Sequence, residues 1–217
     1  MKKRSSSTEE ISCDEIVILD FETTGLTPPY DRVIEVAAAI VANNEIVDTF
    51  THLMYPGRSI PYFITDLTGI TTSMLKGKPS PEEIMPELKK FIGNRPIFAH
   101  NASFDKRFLE AEMARVGLTM NNPVLCTMIL SRKLIPQAYN HKLSTLASHL
   151  NINATNAHRA LADVKVTAKL WSHLYSQIST RAGIERPALS MLTAISKKPK
   201  HMIPKYFEKI NSALMCS

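Results

Sequence analysis

The chain has 217 residues, 44% of them hydrophobic and 21% charged, with a formal net charge of +6. That size and balance suit one compact domain with a short appendage, and no apolar run approaches the length of a membrane span. The polar stretch Met1 to Glu10 has no apolar segment after Lys2, Lys3 and Arg4, which excludes a secretory signal and leads us to expect a cytoplasmic protein with no membrane partner. Cys13, Cys126 and Cys216 are odd in number and widely spaced, so reduced thiols are predicted. The basic balance favours an anionic partner such as nucleic acid. Much of the excess nevertheless sits at the ends, in Lys2 to Arg4 and in Lys197, Lys198, Lys200, Lys205 and Lys209, where a solvated tail accounts for it.

In chain order, Ile16-Val17-Ile18-Leu19 is a short β-branched run and predicts a buried strand. Val33 to Ala42 and Glu45 to Met54 predict two more, joined as a hairpin by Asn43-Asn44. Ser80-Pro81-Glu82-Glu83 combines a cap, a first-position proline and a capping box; the helix that follows buries Ile84, Leu88 and Phe91 and stops at Gly93. Pro96 to Ala99 is a fourth strand. A helix then runs from about Ser103 to Gly117, with Phe104, Phe108 and Ala111 on one face. Val124 to Thr127 is a fifth strand, followed by helical stretches at Met128 to Leu134 and Leu143 to Leu150. From Arg159 to Ile178 the stripe Leu161, Val164, Ala168, Trp171, Leu174 and Ile178 marks a long helix. Beyond Arg181 the periodicity fades, interrupted at Pro187, Pro199 and Pro204. The order implies an α/β fold: one mixed five-stranded sheet, a three-strand meander plus parallel strands, flanked by helices.

Three acidic segments carry the chemistry. Asp20 and Glu22 end the first strand; alternation puts both on one face and turns Phe21 into the core. Two carboxylates held together repel unless a divalent cation with a taste for hard oxygen ligands lies between them, although a strand running out into solvent also collects acids. Asp105, in His100-Asn101-Ala102-Ser103-Phe104-Asp105, falls in the first turn of a helix, where a plain helix-dipole partner is the alternative; Asn101 and Ser103 are candidate caps. Asp163 lies one turn into the long helix, bordering its apolar stripe, five residues after His158. An acid in that position needs a partner, either a metal ion or a salt bridge. Strand and helix ends of an open sheet can converge on one site, and an imidazole titrating near neutrality completes an acid-base set.

Taken together these residues resemble the DEDDh (DnaQ-like) 3′→5′ exonuclease family, which includes the epsilon subunit of bacterial DNA polymerase III and exonuclease X. The first family motif matches as Asp20-Phe21-Glu22-Thr23-Thr24-Gly25-Leu26, the second as residues 100–105 and the third as His158 with Asp163. Softer matches are Arg32 to Ala37, Thr68 to Thr71 and Lys142 to Leu146, so that the resemblance covers about residues 15–178. It implies a ribonuclease H-like fold, with residues 1–13 a disordered basic start, 14–180 the exonuclease domain and 181–217 a C-terminal extension. It further implies two divalent ions, Mg²⁺ or Mn²⁺. Asp20, Glu22 and Asp163 would hold the first, while Asp20 bridges to the second and Asp105 supports it through water. His158 would be the general base. Thr23, Thr24, Gly25 and Leu26 would line the terminal nucleotide, with Asn101 and Phe104 shaping the same pocket.

The implied substrate is a single-stranded DNA 3′ end, released as nucleoside 5′-monophosphates in repair or proofreading. RNA trimming on the same fold, a polymerase-associated binding subunit and a metal hydrolase of small nucleotides are the alternatives. Replication or repair proteins are candidate partners. Ala188 to Leu192 faintly resembles a clamp-binding pentapeptide without its leading glutamine and closing aromatic, and an amphipathic turn packed on the domain explains it better. The segment from Arg186 to Tyr206 is loosely similar to the one that follows the nuclease domain in exonuclease X relatives, without the glycines found there.

Overall fold

The runs at residues 16–19 and 33–42 are apolar on both faces, which only strands covered from both sides can satisfy. In the computed structural model, which describes residue 13 and residues 15–28, 30–154 and 158–215, they are the centre of a five-stranded sheet. The strands are β1 (Glu15–Thr23), β2 (Val33–Ala42), β3 (Glu45–Leu53), β4 (Ile97–Ala99) and β5 (Val124–Cys126), in the order β3-β2-β1-β4-β5. β1–β2 and β2–β3 pair antiparallel, and β1–β4 and β4–β5 pair parallel. This is the expected meander plus parallel strands. The polar start at residues 1–10 and Cys216 lie outside the described residues. No disulfide forms among the described cysteines, and no described helix is long and apolar enough to cross a membrane.

Helices cover both faces. On one side α3 (Pro81–Ile92) and α4 (Ala102–Arg115) pack on Val17, Leu19, Phe21, Val36 and Ala38. The Ser80–Glu83 capping box forms as predicted, with Glu83 N–H donating to Ser80 Oγ and Ser80 N–H donating to Glu83. On the other side α5 (Thr127–Leu134), α6 (Leu143–His149) and α7 (Ala160–Ala182) pack on Ile16, Ile18, Ala37, Ala39 and Phe98, around a fully buried Trp171. A smaller cluster of Ile34, Ile60, Ile64, Ile70 and Leu75 fixes α1 (Tyr62–Thr68) and α2 (Thr72–Leu75) over the start of β2.

Three departures from the sequence reading have physical causes. α1 and α2 are too short for a periodic signal to register. The buried face of α4 is Asp105, Phe108, Leu109, Glu112 and Met113, rotated from the expected Phe104, Phe108 and Ala111, because two of its buried side chains are acids. Past Arg181 the chain forms α8 (Leu189–Lys197), a 3-10 turn (Lys200–Met202) and α9 (Ile203–Met215). The prolines that interrupt the pattern there stand at helix starts: Pro187 precedes α8, Pro199 precedes the turn and Pro204 is the second residue of α9, where a missing N–H costs nothing. Leu189, Leu192, Ile195, Ile203 and Phe207 join the same core cluster as Trp171. The Ala188 to Leu192 segment is therefore packed on the domain, with Leu189 and Leu192 buried.

Because these helices complete the main core, Leu192→Ala should cost about 2–5 kcal/mol of stability. Met215→Ala, at an exposed position, should stay within about 0.5 kcal/mol. Denaturant unfolding of the two variants beside the parent chain checks both.

Candidate active site

Along β1 the side chains at 16 and 18 face α7, and Asp20 and Glu22 continue that row past the point where the apolar residues end. Phe21 joins Val17 and Leu19 on the opposite face. Asp105 reaches the same end of the sheet from α4, and its Oδ1 accepts a hydrogen bond from Phe21 N at 3.2 Å. The amide between the two β1 acids is thus tied to the first turn of a helix 84 residues away. Asp163 comes from the first turn of α7, where its Oδ2 accepts from His158 N at 3.2 Å. One oxygen each from Asp20, Glu22 and Asp163 lies within 4.8 Å of the others. These three are half-buried, Asp105 behind them is buried, and His158 is exposed.

Crowding and desolvation act in the same direction on these acids. Burial pushes the Asp20 carboxyl well above the usual carboxylate range, and the charges of Asp105, Glu22, Asp163 and Glu35 raise it further. Glu22 is pushed up to about 8, by burial first and then by Asp163, Glu35 and Asp105, with Arg159 opposing. Burial raises Asp105 to about 7 against the hydrogen bond from Phe21 N–H, and raises Asp163 against the one from His158 N–H. Among the described residues no lysine or arginine forms an ion pair with any of the four. A converging set of hard carboxylate oxygens without a cationic side chain fits a divalent metal ion.

Glu35 does have such a partner. It lies opposite Glu22 in the β1–β2 register and is buried. Its carboxylate accepts from Arg159 Nη2 at 2.7 Å, from Arg159 Nε at 3.2 and 3.3 Å and from Ala160 N at 3.0 Å. These bonds clamp the start of α7 to β2 and so place Asp163. The sequence reading assigned Glu35 no role, yet a lone acid inside an apolar ten-residue strand is the signal for a buried pair. A second buried acid, Glu112, receives Arg32 Nε at 2.8 Å and Val33 N at 3.2 Å, while Arg32 Nη2 also reaches Glu82 at 2.6 Å.

The segment after Glu22 is a braced loop. Thr24 is buried; its amide donates to Arg32 O and its hydroxyl donates to Asp31 Oδ1 at 3.0 Å. The same hydroxyl oxygen accepts from Arg32 N and Arg58 Nη2. Thr23 is buried as well and its hydroxyl donates to Gly25 O at 2.5 Å. At Gly25 a Cβ would stand 2.5 Å from the Asp31 carboxylate, so no larger residue fits unless Asp31 moves. The threonine hydroxyls and Gly25 therefore set the shape of the loop, and Leu26, 72% exposed, is the side chain it presents. Asn101 begins α4 in a left-handed conformation (φ 72°) and its side chain makes no cap bond, so the capping alternative for it does not hold. Phe104 is half-buried and stacks on Phe108, ring centroids 4.9 Å apart. His100 bridges Thr127 Oγ1 at 3.0 Å and His141 O at 2.9 Å, and burial lowers its pKa.

The raised carboxyls make a stability prediction for the metal-free protein. Between roughly pH 4, where these groups titrate in an unfolded chain, and about 8, where Glu22 titrates in the fold, the folded state holds protons that the unfolded state has released. Stability is then fully present below the window and is lost as pH rises through it. In chelator the thermal midpoint should fall from pH 5.5 to pH 8, and Mn²⁺ or Mg²⁺ should restore it at the higher pH. A midpoint that climbs over that range in chelator would refute this.

The exonuclease (RNase T) family model matches residues 17–171, which span every segment just described. The DNA polymerase III PolC-type protein of Clostridium perfringens (strain 13 / Type A) is 39% identical over 176 residues, 81% of this chain and 12% of the relative. Its counterpart in Halalkalibacterium halodurans is 43% identical over 157 residues, 72% of this chain and 11% of the relative. The chain thus spans only about an eighth of the length of these relatives. Among solved structures, exonuclease X in complex with 5′ overhanging duplex DNA superposes with a TM-score of 0.67 at 28% identity, covering 83% of this chain and 99% of that one. E. coli exonuclease I in complex with a dT13 oligonucleotide superposes at 0.68 with 18% identity, covering 77% and 42%, a likeness of fold alone. With the family model matching residues 17–171, this chain belongs to the DEDDh (DnaQ-like) exonucleases and has their ribonuclease H-like fold.

Proposed function

We propose that the protein is a 3′→5′ exonuclease that removes nucleotides one at a time from a DNA end, chiefly a single-stranded one. The observation that carries this is the cluster of Asp20, Glu22 and Asp163 oxygens within 4.8 Å of one another, backed by Asp105 through its bond to Phe21. The DNA preference rests on the relatives, which are DNA polymerase III proteins and a nuclease solved on duplex DNA. Proofreading or repair, with replication proteins as partners, is the setting this suggests.

In this reading Asp20, Glu22 and Asp163 would hold one divalent cation, Mg²⁺ or Mn²⁺, and Asp20 together with Asp105, acting through water, would hold a second. When bound, such ions lower the pKa of the attacking water and stabilise the charge that grows on the phosphate and the leaving 3′-oxygen. His158 takes the proton from the water as its oxygen bonds to phosphorus. The P–O3′ bond breaks, the shortened strand keeps a 3′-hydroxyl and the terminal residue leaves as a nucleoside 5′-monophosphate. The His158 amide holds the Asp163 carboxylate, so base and ligand share one short segment. Leu26 supplies an apolar surface for any terminal base, Phe104 and Asn101 border the same end of the sheet, and the braced Thr23-Thr24-Gly25 loop keeps Leu26 in place.

A time course on 5′-labelled single-stranded DNA with Mg²⁺ or Mn²⁺ should give a ladder that shortens from the 3′ end. Asp20→Ala should slow it by a factor on the order of 10²–10³ or more. Early release of a labelled mononucleotide, or internal cutting, would contradict the polarity. His158→Gln should lower kcat by about 10²–10⁴-fold while Mn²⁺ binding, read by calorimetry, stays close to the parent value. Equal loss of metal binding would instead make His158 a structural residue.

A further inference from the structure

A groove of about 1240 Å³ runs along α7, lined at one end by residues close in sequence to Asp163. Its upper end is lined by Arg159 and Ala162, next to Asp163, and by Leu67 to Gly69 at the end of α1. Its lower end is lined by Ser172 and by Glu45, beyond the β2–β3 turn. Roughly 20 Å of helix separate Arg159 from Ser172.

Two features distinguish this groove from an ordinary surface cleft. Lys165 and Lys169 stand on its wall one helical turn apart, exposed, and neither has an ion-pair partner among the described residues. Like charges at that spacing weaken a helix, whereas Lys106 on α4 is matched at the same spacing by Glu110. With Arg159, whose guanidinium is fixed by Glu35 while 40% of its side chain stays exposed, they make a basic row leading away from the acids. The second feature is apolar surface beside that row: Leu67 is 52% exposed, and Leu161 and Ile46 are only partly covered. Cations that track phosphates, set among apolar groups that accept any base face, are what a single strand binds to without sequence preference.

We propose that this groove is a track for the nucleotides on the 5′ side of the terminal one, an inference that rests on the nuclease reading above. Lys165 and Lys169 contact neighbouring phosphates, Arg159 stands at the upper end of the groove, and the bases lie against Leu67 and Leu161. The four-residue step from Lys165 to Lys169, about 6 Å of helix, is close to the separation of neighbouring phosphates on an extended strand. The track holds about three nucleotides over its 20 Å and ends where Glu45 reverses the charge.

The test is length dependence in the whole chain. For the parent protein kcat/KM should rise from dT2 through dT4 and level off by dT8. In Lys165→Gln/Lys169→Gln the dT8-to-dT2 ratio of kcat/KM should fall about tenfold through KM, and the log–log salt dependence for dT8 should flatten by about 1.4, the value for two lost single-strand phosphate contacts. Lys89→Gln/Lys90→Gln, on the opposite face of the sheet, should leave both unchanged. An unaltered ratio and salt slope in the Lys165/Lys169 variant would overturn the track, including the case in which an acidic protein occupies the groove. Hydrolysis of the p-nitrophenyl ester of thymidine 5′-monophosphate reports on the phosphodiesterase reading alone. If that fails, fluorescence anisotropy of labelled dT8 on the Asp20→Ala background, with and without the two lysine changes, still decides the track: weaker binding by about tenfold upholds it and equal binding overturns it.

Discussion

Four carboxylates at one end of the sheet repel one another, and everything else about the site follows from how the fold holds them there. None would choose this environment: burial raises all four above the ordinary range, and neighbouring carboxylates raise Asp20, Glu22 and Asp163 further. What keeps them together is covalent and secondary-structure geometry. Asp20 and Glu22 share a face because a strand alternates, and Asp105 and Asp163 arrive in the first turns of helices docked by large apolar cores. The cores supply the stability that the acids consume, and a divalent cation would turn the repulsion into binding.

Around these acids the structure uses buried charge pairs as fasteners. Glu35 joins β2 to the start of α7, and Glu112 joins α4 to the start of β2 through Arg32 and Val33. Both carboxylates are satisfied by backbone amides as well as by arginine, which is the condition under which a buried ion pair becomes favourable. Each sits where a small displacement would spread the clustered acids. The Asp31–Arg58–Thr24 set does the same for the loop that presents Leu26. α7 therefore supplies three things along one axis: an anchored start, one of the clustered acids and a basic wall.

The site was legible in the sequence to an uneven degree. Asp20, Glu22, Asp105, His158 and Asp163 stand in short motifs whose order and spacing carry the family resemblance, and three of the four acids gather within 4.8 Å. Glu35 was passed over because its partner, Arg159, is 124 residues away. The sequence does not reveal that the hydroxyls of Thr23 and Thr24 are engaged inside the loop. The C-terminal helices were missed because proline was read as a breaker at positions where it begins a helix.

By itself the sequence determined what local chemistry controls: the strand runs, the capping box at Ser80, the long stripe of α7 and the identity of the acids. These depend on neighbours within a few residues, so periodicity and capping expose them. Only the tertiary structure decided which acids meet, which are paired off by arginine, and that a basic groove leads from them. Those relations join residues such as Phe21 with Asp105 and Glu35 with Ala160, 84 and 125 positions apart, and are set by sheet register and helix docking, which no local pattern encodes.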